Sequence, residues 1–138
     1  MEKEINGHAY RFGKIDALTQ FHLVRRLAPV LASVGLSLGK LQQVANAADL
    51  LGPAFEVLAK MTDEESNYII FACLRSVHRK DGQGAGAGWV ALVPTAQNVL
   101  AYQDIELPEM LQLTMWALRT NLEGFFKGLT DVTPSASS

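Results

Sequence analysis

Apolar and polar residues alternate at the amino-terminal end of the chain, on both sides of an Asn-Gly pair. Ile5 precedes Asn6 and Gly7, and Tyr10 and Phe12 follow at alternate positions. Asn-Gly favours the positive φ angles of a two-residue type I′ turn, so this pattern predicts a small β-hairpin. A lone hairpin is only marginally stable, and we therefore expect it to pack on the rest of the chain.

The spacing of apolar residues changes after the hairpin to that of a helix. Asp16 is placed as an N-cap, and apolar residues follow it at steps of three and four. The predicted buried face consists of Leu18, Phe21, Val24, Leu27, Ala28 and Leu31. Pro29 lies within this pattern, and because it lacks an N–H and clashes with the preceding turn, we expect the helix to bend or end there.

Three shorter helices are predicted in the middle of the chain. The first spans 41–51 and ends at Gly52-Pro53, and the second spans 55–61. The third starts at Thr62, which forms a capping box with Glu65, and ends in the basic residues of the segment 75–80. The order of these segments indicates a mainly helical middle region.

A glycine-rich loop at 81–88, a strand at 89–93 and a long helix complete the pattern. The segment 95–103 fits either a short helix or extended chain. The last helix begins at Pro108, and its main apolar stripe is Leu111, Met115, Leu118, Leu122, Phe125 and Leu129.

The last helix is also apolar outside its main stripe. The residues concerned are Met110, Leu113, Trp116 and Phe126. A helix that is apolar around so much of its circumference either lies at the centre of the core or is shared with a partner, and both interpretations stay open. Our hypothesis for a partner-binding site is this set of four residues, with Trp116 as the anchor.

Taken together, the elements predict an α+β fold that is mainly helical. A small N-terminal β-hairpin and one or two further short strands would pack on a helical layer. We expect a single domain over residues 1–130 and a disordered tail over 131–138.

Composition narrows the class of protein. The chain has 138 residues, of which 49% are hydrophobic and 19% charged, and this balance excludes wholesale disorder. The net charge of −2 gives no reason to expect nucleic-acid binding. The most apolar segment, 27–39, is shorter than the ~20 residues that a membrane helix needs. The first four residues show no signal peptide, so we expect a cytoplasmic protein without membrane contact.

Candidate catalytic and metal-binding residues do not form a known motif. His8, His22 and His78 are far apart in the sequence, and the single Cys73 lies within an apolar helical pattern. The glycine-rich loop leads into a strand, whereas phosphate-binding loops lead into a helix. We therefore expect no enzyme activity, no metal and no cofactor.

Four stretches of the chain resemble the phage tail assembly chaperone family. They are 5–14 with 20–29 (INGHAYRFGK and QFHLVRRLAP), 62–74 (TDEE, YII and CL), Gly88-Trp89, and 104–113 with 121–126 (DIELPEMLQL and NLEGFF). Their order and spacing match the family along nearly the whole chain, apart from the glycine-rich loop and the serine-rich tail.

The resemblance implies a non-enzymatic protein that binds the tape measure protein and keeps it soluble. It also implies recruitment of tail tube protein, action in the bacterial host cytoplasm and absence from the mature virion. Self-association stays open. The alternative from another class is a small structural tail or baseplate component of the virion. A regulatory nucleic-acid-binding module is a third possibility, and the net charge disfavours it.

Overall fold

Four helices and a four-stranded antiparallel sheet make up the described part of the chain in the computed structural model. The structure describes residues 2–33, 35, 51–82, 88–94 and 96–132, with side chains omitted for 51, 53, 54 and 124–132. This arrangement confirms the predicted α+β class. The helical segment predicted at 41–50 and the centre of the glycine-rich loop lie outside the described residues.

The sheet is a meander in which each strand pairs with the next along the chain. Its strands are β1 (Glu2–Ile5), β2 (His8–Phe12), β3 (Val77–Asp81) and β4 (Gly88–Ala91), in that order across the sheet. The predicted hairpin is confirmed, because β1 and β2 pair antiparallel with Ile5 opposite His8. Asn6 and Gly7 have φ angles of 53° and 82°, the left-handed values that this turn requires.

Helix α1 (Ala17–Ser33) begins at the predicted cap. Asp16 accepts hydrogen bonds from the Thr19 backbone N–H (3.0 Å) and the Thr19 hydroxyl (2.7 Å). The helix continues through Pro29, so an end at that residue is wrong, and the alternative of a bend there stays a prediction. Pro29 is exposed, and the carbonyl group that loses its helical donor there can bond to water instead.

The buried face of α1 differs from the predicted one. Its buried residues are Leu23, Leu27 and Leu31, spaced four apart. Leu27 and Leu31 are buried as predicted, whereas Leu18, Phe21 and Ala28 are exposed, although the sequence pattern assigned them to the buried face. Helix α1 has two overlapping apolar faces. The face that packs inward is the leucine stripe Leu23, Leu27 and Leu31, and the predicted stripe coincides with it only in part.

Helices α2 (Leu51–Ala59) and α3 (Asp63–Leu74) follow. The predicted helix end at Gly52-Pro53 is wrong, because both residues lie in the first turn of α2, where the missing N–H of a proline costs nothing. The predicted start of α3 is confirmed: the Glu65 backbone N–H donates to the Thr62 hydroxyl oxygen at 3.1 Å.

The predicted basic end of α3 is wrong, because the segment after Leu74 forms β3. Val77 and Arg79 are buried on one face of this strand, and it pairs with both β2 and β4. These pairings satisfy the backbone hydrogen bonds of β3 on both sides and make the segment a central strand of the sheet. The predicted strand at 89–93 is confirmed as β4, and Leu92 and Val93 lie buried just beyond it.

Helix α4 (Leu107–Val132) is the central element of the core, where it contacts α2, α3 and β2. The predicted stripe is buried at Leu111, Met115, Leu118 and Leu122. The first two residues of the predicted tail, Asp131 and Val132, continue this helix, and the rest of the tail lies outside the described residues.

Candidate partner-binding surface

The turn of the N-terminal hairpin is fastened to the start of α4 by a buried carboxylate. Glu109 accepts hydrogen bonds from the Tyr10 hydroxyl and, at 3.1 Å, from the Asn6 side-chain amide. Burial and this hydrogen bond raise the pKa of Tyr10 far above its ordinary value, so the phenol stays neutral and donates. The contact fixes the hairpin against the first turn of α4.

A second buried side chain, Asn121, fastens the entry to α1 against the middle of α4. Its Oδ1 accepts from the Ile15 backbone N–H at 2.7 Å and from the Gln20 side-chain amide at 3.2 Å. Its Nδ2 donates to the carbonyl oxygens of Gly13 (3.2 Å) and Ala117 (2.9 Å). Asn121 therefore uses its full hydrogen-bonding capacity to position the segment 13–20.

Arg79 forms the densest charged cluster in the described part of the chain. Its guanidinium donates two bonds of 3.0 Å to the carboxylate of Asp104 and one of 2.9 Å to His8 Nε2. It also lies 4.2 Å from the ring centroid of Tyr102, whose hydroxyl donates to Asp81 at 2.9 Å. The hydrogen bonds from Arg79 hold the pKa of Asp104 below its ordinary value. These contacts fasten the segment 96–106 to the sheet.

Cys73 and the possible metal-binding residues are the other candidates for chemistry that the sequence raised. Cys73 is fully buried, and burial raises the pKa of its thiol to about 12, which disfavours the reactive thiolate. No group of His, Cys, Asp and Glu among the described residues is arranged to hold a metal ion. The described helices include none with the length and apolar character required to span a bilayer.

The four residues hypothesised as a partner-binding site fall in different environments. Leu113 is 0% exposed and belongs to the core, so it offers no surface in this structure. Met110 and Trp116 are half-buried and pack against that core. Phe126 lies in α4, at a position whose side chain is not described. Of the three whose side chains are described, Met110 and Trp116 therefore have exposed atoms that a partner could reach.

Trp116 lies at the junction between α4 and the sheet edge. The Lys3 ammonium of β1 lies 3.9 Å from the centroid of its ring, and the Arg119 guanidinium lies 5.3 Å away. Such cation–π contacts orient an aromatic ring at a surface. The ring therefore contributes to the attachment of β1 as well as to the surface.

Among the described side chains, the most exposed large apolar ones lie on the outer face of α1, at Leu18 and Phe21. Leu18 is 66% exposed and Phe21 58%, and a spacing of three residues places them side by side on the helix. We call the exposed residues that continue this line the outer face of α1: Leu18, Phe21, Arg25, Ala28 and Ala32.

The other large apolar residues with exposures above one third, within the part of the chain whose side chains are described, are distributed over different elements. They are Phe55 in α2, Val90 in β4, Val99 in the segment before α4, and Leu107 at the start of α4. Single exposed apolar residues are normal on soluble proteins, whereas an adjacent pair on one helix is a candidate contact surface.

Sequence reasoning missed the outer face of α1 because its residues also fit the period of a buried stripe. The available signal was the competing stripe of Leu23, Leu27 and Leu31. An amphipathic helix with two apolar faces can bury only one of them within its own fold.

A family model described as "Phage tail assembly chaperone protein, TAC" matches residues 6–131. No curated protein and no solved structure matches the chain. The family match includes both side chains of α4 that hold the N-terminal region, Glu109 and Asn121, as well as all of α1. Since it extends over nearly the whole sequence, the chain belongs to the phage tail assembly chaperone family.

Proposed function

We propose that this protein is the chaperone of the tape measure protein: it binds that protein during tail assembly, keeps it soluble and leaves before the virion is complete. The observation that carries the proposal is the family match over residues 6–131. Membership indicates a non-enzymatic role in assembly and contacts with other tail proteins; the identity of the partner is our inference.

The surface of the described residues supports a binding role. Leu18 and Phe21 expose large apolar areas that the fold does not bury, and covering such areas is what a partner would do. A long helical client presents repeated apolar stripes, which suit a helix face of this kind.

We keep Met110, Trp116 and Phe126 as a proposed secondary contact on α4. Met110 and Trp116 retain exposed atoms, and Met side chains adapt easily to different partners. Leu113 is excluded from this contact because it is fully buried. Tail tube protein is a further proposed partner, which the chaperone would meet once the tape measure protein is bound.

Co-expression with the tape measure protein tests the proposed function. We expect the wild-type chain to co-purify with the tape measure protein and to raise the fraction of it that stays in the supernatant. A Leu113→Asp variant is the control, since a charge placed in the core prevents folding and should abolish both effects. If the solubility of the tape measure protein is the same with and without the wild-type chain, the proposed function is wrong.

A further inference from the structure

The outer face of α1 follows the spacing of a helix–helix contact. Leu18, Phe21, Arg25, Ala28 and Ala32 are separated by steps of three and four, and all five are exposed. This is the spacing by which one helix packs along another. The helix has 17 residues and is therefore about 25 Å long, enough to contact several turns of a partner helix.

Side-chain size changes along this face. The two large residues, Leu18 and Phe21, lie in the first half, and the small residues Ala28 and Ala32 lie in the second half. Large residues can insert between side chains of a partner, while small residues let its backbone approach closely. The face thus suits a helix rather than an extended peptide, which would need a free sheet edge.

The charge of α1 defines the chemistry of the partner. The helix contains Arg25 and Arg26 and no acidic residue. Arg26 points towards α3, where it lies 3.9 Å from Glu65 and 4.3 Å from the ring centroid of Tyr68. Arg25 points outward, and its guanidinium bonds to His22 Nδ1 at 3.3 Å.

The positive charge of Arg25 is not matched within the described part of the chain. No carboxylate there lies within 4.0 Å of its guanidinium nitrogens. A partner that places an acidic residue opposite Arg25 would complete an ion pair beside an apolar contact, where electrostatic complementarity sets register and specificity.

The same charge disfavours a second copy of this chain as the occupant. Arg25 is the middle residue of α1, so two copies paired in register about a two-fold axis would bring Arg25 against Arg25. Like charges placed against each other destabilise such a pairing.

We propose that the outer face of α1 is the client-binding face of this protein. Its occupant is an amphipathic helix of the tape measure protein, with an apolar stripe on Leu18 and Phe21 and an acidic residue opposite Arg25. This inference rests on the proposed function, because it specifies the chemistry by which the same partner is recognised.

A competition experiment tests the inference. Wild type and variant chains with different tags are expressed together with a limiting amount of full-length tape measure protein, and their ratio is measured after the tape measure protein is captured. The test variant is Leu18→Gln/Phe21→Gln, since glutamine keeps a high helix propensity. The matched control is Val99→Gln/Leu107→Gln, which replaces two large apolar residues elsewhere that are also more than half exposed.

We expect the Leu18→Gln/Phe21→Gln variant to be depleted at least about tenfold relative to wild type, since a central apolar anchor contributes about that much to affinity. The control should be recovered at nearly the wild-type ratio. Arg25→Glu should be depleted about fivefold and Arg25→Lys much less, because lysine keeps the charge.

Each contrary result has a distinct meaning. If neither wild type nor variant is captured, the proposed function fails. If wild type is captured and the Leu18→Gln/Phe21→Gln variant competes equally, or if the control is depleted as strongly, the assignment to α1 is overturned while the function stands. Equal competition by Arg25→Glu would overturn the acidic helix as occupant.

Two measurements on the purified chain alone complete the test. Sedimentation equilibrium should show the same mass for wild type and the Leu18→Gln/Phe21→Gln variant. A dimer that the double variant dissociates would identify a second copy as the occupant and overturn the proposal. The melting temperature of the variant should stay near that of wild type, and a loss of fold would contradict the exposed placement on which the proposal depends.

Discussion

Replacing Asn121 by alanine should destabilise this protein far more than replacing an exposed residue on the same helix. Asn121 is 6% exposed and bonds through its side-chain oxygen and nitrogen to the segment that leads into α1. The substitution would leave the Ile15 backbone N–H and the Gly13 carbonyl without this partner. Asn121 positions the segment that leads into α1 and does not lie in the outer face of α1.

The magnitude follows from the number of groups that lose a partner. A buried donor or acceptor left unsatisfied costs about 1–3 kcal/mol, so two such groups cost about 2–6 kcal/mol. The higher helix propensity of alanine offsets about 0.6 kcal/mol of this loss in stability. We therefore expect the free energy of unfolding to fall by about 3 kcal/mol. At about 0.3 kcal/mol per degree for a chain of this length, the melting temperature should fall by about 10 °C.

Urea denaturation followed by circular dichroism measures this change. Glu123→Ala is the matched control, because Glu123 is exposed on the same helix and its loss should change stability by about 0.5 kcal/mol at most. Asn121→Asp should be at least as harmful as the alanine variant, since it turns an oxygen towards the carbonyl groups of Gly13 and Ala117. A loss in Asn121→Ala no larger than that in Glu123→Ala would refute the reasoning.

Three further predictions concern the packing and titration of single residues. Trp116→Ala should lower the free energy of unfolding, measured in urea, by about 2 kcal/mol, because the ring packs on the core and contacts Lys3. Lys3→Ala removes only the cation–π contact and should lower it by about 0.5–1 kcal/mol. Equal losses in the two variants would contradict the packing role of the ring. The pKa of Tyr10 is raised in the folded state, so the neutral phenol contributes its full stabilisation below about pH 10. As the pH rises above that value, the free energy of unfolding should fall by up to about 1.4 kcal/mol for each pH unit. Urea midpoints between pH 8 and 11 should therefore fall more steeply for wild type than for Tyr10→Phe, and parallel curves would be the contrary result. Cys73 should resist iodoacetamide at pH 8 until urea unfolds the chain, as measured by mass spectrometry; labelling of the folded protein at the rate of a free thiol would contradict its burial.

Local features of the sequence predicted local structure well. The Asn6-Gly7 turn and the caps at Asp16 and Thr62 depend on residues within a few positions of each other. Their geometry is fixed by backbone preferences and short-range hydrogen bonds, which the sequence displays directly.

Strand β3 could not be predicted in the same way, because its partners are distant in the sequence. Its basic residues suit the end of a helix, and only the pairing of Arg79 with Tyr10 on one side and Val90 on the other makes the segment a strand. The bonds of Glu109 and Asn121 are of the same kind, since each joins α4 to residues about 100 positions away.

The candidate site was missed for a different reason. Periodicity shows that a helix has an apolar face, but it does not show which of two apolar faces the rest of the fold will cover. In α1 the leucine face packs inward and Leu18 and Phe21 stay exposed. In α1 residues of the predicted stripe are exposed, whereas in α4 a residue outside the predicted stripe, Leu113, is buried.

The most direct test of the proposed chaperone role follows the protein through tail assembly. Quantitative mass spectrometry of infected cells would measure the ratio of this chain to the tape measure protein in soluble assembly intermediates and in purified virions. A chaperone should be abundant with the tape measure protein before the tube forms and absent from finished particles. A fixed ratio of the two proteins in purified virions would contradict the account and identify the chain as a structural component of the tail.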